Sequence, residues 1–188
     1  MGKLTKGMRR TRAGHLTPEE KLIVYWETIR YIYELNRTSE IKAGLIMSFY
    51  GLVLGVTFEM AANMQTNFKF SIFLIIVILV YFFFVGRSIY FSFKCFLPQI
   101  ETNFDKNMFF FHDVITQYGD INSFSNEFND LLGKENELYS HLGQQIYVNS
   151  LIVSEKFANV NRSVRNLAYS FIPMFVAVAT IATTVYIL

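Results

Sequence analysis

Three long runs in the chain carry no charged side chain: Ala43–Phe58, Phe70–Gly86 and Leu167–Leu188. A helix that crosses a bilayer needs about 20 mostly apolar residues, with about 17 as the lower limit. The third run meets that requirement outright. The second gains length from Asn67 and Phe68 just upstream, and the first is extended by Met60–Phe68 once Glu59 is crossed. The pattern predicts an all-α integral membrane protein with three transmembrane helices, near 43–62, 69–90 and 167–188. The first two form a hairpin within residues 41–98.

Outside these runs the apolar positions recur at helical spacing. Thr17-Pro18-Glu19-Glu20 is a helix start, with threonine as cap, proline at the first helical position and Glu20 completing a capping box. Leu22, Tyr25, Trp26, Ile29, Ile32 and Tyr33 then make one apolar face, so residues 17–40 read as an amphipathic helix. It either packs on other helices outside the bilayer or lies in the membrane plane. Asn36–Glu40 is polar and is expected to soften this helix before the first span. After the second run helical character continues to about Leu97, and Pro98 ends it. Ser123-Phe-Ser-Asn-Glu127 opens a short helix to about Leu132. From about Glu135, Leu138, Leu142, Ile146, Val153, Phe157, Val160 and Val164 step by threes and fours toward the third run. One helix from there to Leu188 would be on the order of 80 Å long, with Pro173 as an expected kink.

Charge orients this layout. Residues 1–42 hold nine Lys or Arg, the linker after the first span holds only Lys69, and Arg87–Arg165 holds seven. The positive-inside rule then puts the N-terminus in the cytoplasm, residues 99–166 in a cytoplasmic helical layer, and the C-terminus outside. Residues 1–16 are basic and aperiodic, which is the signature of a disordered tail. Nine basic residues before the first apolar run are far too many for a signal peptide.

Candidate chemistry is sparse. Cys95 is the single cysteine, and His15, His112 and His141 are scattered, so neither a disulfide nor a metal site is expected. No nucleophile elbow, zinc-protease, P-loop or dinucleotide-binding pattern occurs, so the chain is not expected to be an enzyme or to carry a cofactor. The basic flanks are what topology already requires, and nucleic acid is not an expected partner. Two features inside the first span stand out. Gly51-Leu-Val-Leu-Gly55 spaces two small residues four apart, a pattern that lets helices approach closely in lipid. Glu59 is the one acidic residue in a span; it either anchors at the interface or lines a pathway. Three spans enclose little by themselves, so a homo-oligomer is expected.

Short motifs follow one another along this layout. Lys42-Ala43 opens the first span, Phe110-Phe111-His112-Asp113-Val114 follows the second, and Gln145-Ile146-Tyr147-Val148-Asn149-Ser150-Leu151-Ile152 with Lys156 leads into the third. That order resembles the Pycsar effector transmembrane family over about residues 38–188. His112 departs from the small residue expected at its position.

The resemblance implies a bacterial antiphage effector in the inner membrane. A partner cyclase would make a cyclic nucleotide, which binds on the cytoplasmic side and leads the protein to impair the membrane. It also implies a ligand set of Lys42, His112, Asp113, Gln145, Tyr147, Ser150 and Lys156. In that set Lys156 would meet the phosphate, Asp113, Gln145 and Ser150 would read base or ribose, and Tyr147 or a phenylalanine would stack. Two other classes compete: a small channel or transporter subunit using Glu59, and a scaffold recruiting a soluble partner through the helix from Pro18.

Overall fold

The computed structural model describes residues 16–62, 72–97 and 106–187. The N-terminal tail, the linker that carries Lys69, and the turn containing Pro98 lie outside the described residues. Five helices make up the rest: α1 (Pro18–Ala62), α2 (Ile72–Phe96), α3 (Phe111–Thr116), α4 (Ile121–Leu132) and α5 (Glu135–Ile187). No strand occurs among the described residues. α1, α2 and α5 are each long and apolar enough to cross a membrane.

The capping box forms as its sequence predicts. The backbone N–H of Thr17 donates to the Glu20 carboxylate at 2.9 Å, and that of Glu20 donates to the Thr17 hydroxyl at 3.2 Å. From there α1 runs unbroken for 45 residues, roughly 67 Å. The softening expected at Asn36–Glu40 is absent, because Ser39 turns inward and returns its hydroxyl to the Asn36 carbonyl. The first part of α1 is therefore continuous with its span and packs beside the start of α5.

Cross-helix contacts fix the relative directions. Tyr25 stacks on Tyr139 at 5.4 Å, Lys156 pairs with Glu40, and the Tyr50 hydroxyl meets Ser170 at 3.4 Å. Numbers rise together on both helices, so α1 and α5 run parallel. Ser88 meets Ser163 while Cys95 meets Ser39, so α2 is antiparallel to both. The spacing of inward positions explains the packing. Ile32, Ser39, Ala43, Ile46 and Tyr50 on α1 and Leu74, Val85, Ser88, Ser92 and Cys95 on α2 are buried at steps of three, four and their sums. That repeat keeps one stripe of each helix facing its partners.

A small extramembrane head caps the far end. Met108, Tyr118 and Leu131 form its core, with Phe109, Phe124, Phe128 and Leu138 packed around them. Gly119, at φ 74°, supplies the left-handed turn between α3 and α4. Asp120 then caps α4 by accepting from the N–H groups of Asn122 and Ser123, so this helix starts before the Ser123 entry expected from sequence. α5 is continuous for 53 residues through Pro173.

Candidate functional site

Two polar layers lie one above the other where the three long helices meet. The first is built from small hydroxyls. Ser88, Ser92 and Ser163 are all fully buried. The Ser163 hydroxyl donates to the Ser88 carbonyl at 2.8 Å, and the Ser88 hydroxyl lies 2.9 Å from the Ser163 carbonyl and 3.0 Å from its hydroxyl. Ser92 adds a third hydroxyl at 2.8 Å. Serine is small enough to let α2 and α5 approach closely, and each hydroxyl finds its partner on the facing helix. Such hydrogen bonds average about 0.6 kcal/mol each in a membrane protein.

The second layer, one to two turns farther from the bilayer, is different in kind. Lys156 on α5 is buried and ion-paired with Glu40 on α1. Beside this pair lie Ala43, Cys95 and Val160, packed together, with the Cys95 thiol 3.9 Å from the Ser39 hydroxyl. Asn159 belongs to the same level and is 1% exposed, yet neither its amide nitrogen nor its oxygen has a partner among the described residues. A buried amide group without a hydrogen bond costs about 1–3 kcal/mol. This layer is charged, desolvated and incompletely satisfied.

Above it, the loop before α3 is tied to α5. The Asn107 side chain donates to the His141 carbonyl at 2.9 Å and to Gln144 at 2.8 Å. Asp113 closes that loop: one oxygen accepts the Asn107 N–H at 3.0 Å and the other accepts from Gln117 at 3.1 Å. Next to this knot is a hollow of about 330 Å³ lined by Lys106, Tyr118, Glu127, Asp130, Lys134, Glu137 and His141, among others. Lys106 sits 3.6 Å from the centre of the Tyr118 ring and 3.4 Å from Glu127. Burial, with the Glu127 and Asp113 carboxylates nearby, pushes the Tyr118 hydroxyl above its ordinary value and keeps it a neutral donor. The hollow thus offers two ammonium groups, a ring and several carboxylates.

The residues singled out from sequence divide between these places. Lys156 lies in the charged layer, and Lys42 is close by, its ammonium 5.6 Å from the centre of the Phe157 ring. Asp113 belongs to the knot beside the hollow. His112 is exposed next to it, and Gln145 holds a buried, unpartnered carbonyl oxygen on α5. Tyr147 is exposed, and the exposed Ser150 hydroxyl donates to the Ile146 carbonyl of its own helix. Along α5, Gln144 and Lys156 are about 18 Å apart, so knot and charged layer are separate places. Gly51 and Gly55 face outward, and a Cβ on either would meet nothing within 4 Å; this face packs on nothing inside the chain. Glu59 is exposed near the far end of α1.

The Pycsar effector protein domain, PycTM, matches residues 24–183. The chain belongs to the Pycsar effector family. No curated protein and no solved structure gives a match. The match reaches back to residue 24, so most of the pre-span part of α1 is family domain and not an added arm. Membership makes this a membrane protein linked to antiphage defence and to cyclic-nucleotide signalling from a cyclase. Both polar layers, the knot and the hollow fall inside the matched residues.

Sequence reasoning missed most of the hollow. Lys106, Tyr118 and Lys134 are spread along a region without periodicity, and only the fold gathers them. The serine layer did leave a signal: Ser88 and Ser92 four apart at the end of an otherwise apolar run, and Ser163 and Ser170 seven apart on α5.

Proposed function

We propose that this protein is a membrane effector of bacterial antiphage defence, N-terminus in the cytoplasm and C-terminus outside. It binds a cyclic nucleotide in its cytoplasmic head and impairs the integrity of the inner membrane. One observation supports the reading above all: α1 and α5 pass without interruption from the head into the bilayer. Any repacking of the head is then transmitted to two spans at once. A ligand can drive this only by binding the active arrangement better than the resting one.

The hollow is our choice for the ligand seat. Its volume is at the lower end of the roughly 300–1,000 Å³ typical of small-molecule sites. A cyclic mononucleotide carries a single phosphodiester charge for Lys106 or Lys134, a base for the Tyr118 ring, and a 2′-hydroxyl for Glu127 or Asp130. Such a ligand would bridge α4, the knot and the start of α5. A second reading keeps Lys156 as the phosphate ligand, favoured by the neighbouring Lys42; phosphate would then displace Glu40. A homo-oligomer, joined through the open Gly51/Gly55 face, would carry the membrane effect.

The test is calorimetry of the detergent-solubilised protein with a panel of cyclic mononucleotides. Lys106→Ala should abolish binding under the first reading and leave it intact under the second, where Lys156→Ala abolishes it. No binding by any cyclic nucleotide would reject both and leave the scaffold class ahead. In cells, a membrane-potential dye should report depolarisation only with a cognate cyclase present. Growth arrest at an intact potential would reject membrane impairment.

A further inference from the structure

Arg87 and Arg162 stand on different helices and converge on one ring. Their guanidinium carbons lie 5.8 and 5.7 Å from the centre of Phe91, and Arg87 is also 5.7 Å from Phe83. Both arginines are exposed, and neither forms an ion pair among the described residues. The serine layer explains why they meet. Arg87 directly precedes Ser88 and Arg162 directly precedes Ser163, and the reciprocal bonds between those serines hold the two arginines at nearly one height. That height is the edge of the bilayer, because Arg87 ends the second uncharged run and Arg162 and Arg165 precede the third.

A groove of about 470 Å³ opens directly beside them, lined by Phe82, Phe83, Gly86, Arg87, Tyr90 and Phe91. Gly86 keeps it open: a Cβ there would meet nothing within 4 Å. The groove has aromatic walls reaching into the apolar run and unpaired cations at its rim. Topology alone accounts for basic residues near this boundary. It does not account for two of them sharing a ring above an apolar groove.

We propose that Arg87, Arg162 and this groove form a binding site for one anionic phospholipid. The headgroup phosphodiester sits on the guanidinium forks, which match its oxygens in pairs, and an acyl chain lies along Phe82, Phe83 and Gly86. The contacts with Phe91 hold both guanidinium planes in place before the ligand arrives. A free phosphate would satisfy the cations but leave the aromatic wall bare, whereas a phospholipid satisfies both. The proposal is independent of where, or whether, a nucleotide binds.

The experiment is native mass spectrometry of the full chain, purified in detergent and equilibrated with equal amounts of phosphatidylglycerol and phosphatidylcholine. At roughly fivefold per arginine, wild type should retain the anionic lipid roughly 30-fold over the zwitterionic one. Arg87→Gln with Arg162→Gln should remove that preference. Gly86→Leu, which keeps both charges and has room for its side chain, should lower retention of both lipids. Inorganic phosphate should not displace the bound lipid. Equal retention of the two lipids by wild type overturns the proposal, as does a preference that survives the double substitution. Unchanged lipid retention in Gly86→Leu overturns the groove, independently of how the arginine variant folds. Displacement by inorganic phosphate would assign the arginines to a free anion and reject the lipid.

Discussion

The two polar layers differ in one respect that matters: the serine layer is complete and the layer beside it is not. Ser88, Ser92 and Ser163 answer one another's donors and acceptors with no charge involved. Two turns away, Lys156 and the half-exposed Glu40 form an ion pair near an Asn159 amide that has no partner among the described residues. A satisfied small-residue contact has one good arrangement, so it fixes register. An unsatisfied amide has hydrogen bonds to gain by rearranging, so this layer is the one that favours a second packing, provided Lys156 keeps its carboxylate. The contrast separates a clasp from a joint along the same helix.

The largest expected effect comes from unbalancing the joint. Glu40→Gln leaves the Lys156 ammonium, 11% exposed, without its carboxylate. Loss of one partner of a buried pair costs about 3–5 kcal/mol, and the partial exposure of Glu40 lowers that to about 2–4 here. Lys156→Met removes the buried charge while keeping the stem, and should cost less than half as much. Equal losses in thermal unfolding would mean that packing, not charge, holds this layer. Breaking the clasp comes next. Ser163→Ala removes the hydroxyl shared by Ser88 and Ser92 and should destabilise by about 1–2 kcal/mol. A neutral result would show that the serines are spacers and that their hydrogen bonds add nothing.

Asn159→Leu should run the other way. Removing an unpartnered amide from a buried layer is expected to stabilise the chain by about 1 kcal/mol and raise its unfolding temperature. Destabilisation would sink the description of that layer as incomplete. The smallest effect serves as a control outside both layers. The N–H groups of Ser123 and Asn122 hold the Asp120 carboxyl below its ordinary 3.8. An acid depressed by folding stabilises fully above its unfolded value, and that contribution is lost as pH falls through the lower folded value. The melting temperature of Asp120→Ala should therefore sit below wild type at neutral pH and converge with it in strong acid. A gap that persists in acid would show that the cap does not act through its charge.

Much of this was legible in the chain. Uncharged length is a strong signal because bilayer thickness leaves few alternatives, and α2 and α5 follow it closely. Thr17 and Glu20 announced their capping box by type and spacing alone. The joint was half legible: the family resemblance drew attention to Lys156, but Glu40 lies 116 residues away and only the parallel register of α1 and α5 brings it near. The absence of a break at Asn36–Glu40 was hidden for a related reason, since Ser39 turns inward toward Cys95 on α2 and Glu40 pairs with Lys156 on α5. Asp113 was noticed as a ligand candidate, and the fold spends both its oxygens on closing a loop. Such choices are made by tertiary neighbours, and local sequence does not carry them.

One consequence follows from where Asn159 falls. It is close to the midpoint of α5, with about 36 Å of helix on the Glu135 side and about 42 Å on the other. A stiff rod pivoting at its centre moves its two ends by equal amounts in opposite directions. A sideways shift of about 6 Å at the Glu135 end corresponds to a tilt of roughly 10° and would swing the far end of the span by a similar distance. Under the proposed mechanism no amplifying gear is needed between the head and the membrane end: a see-saw balanced on an incomplete layer would give displacement near parity, and Pro173 would set how much of it reaches the tip.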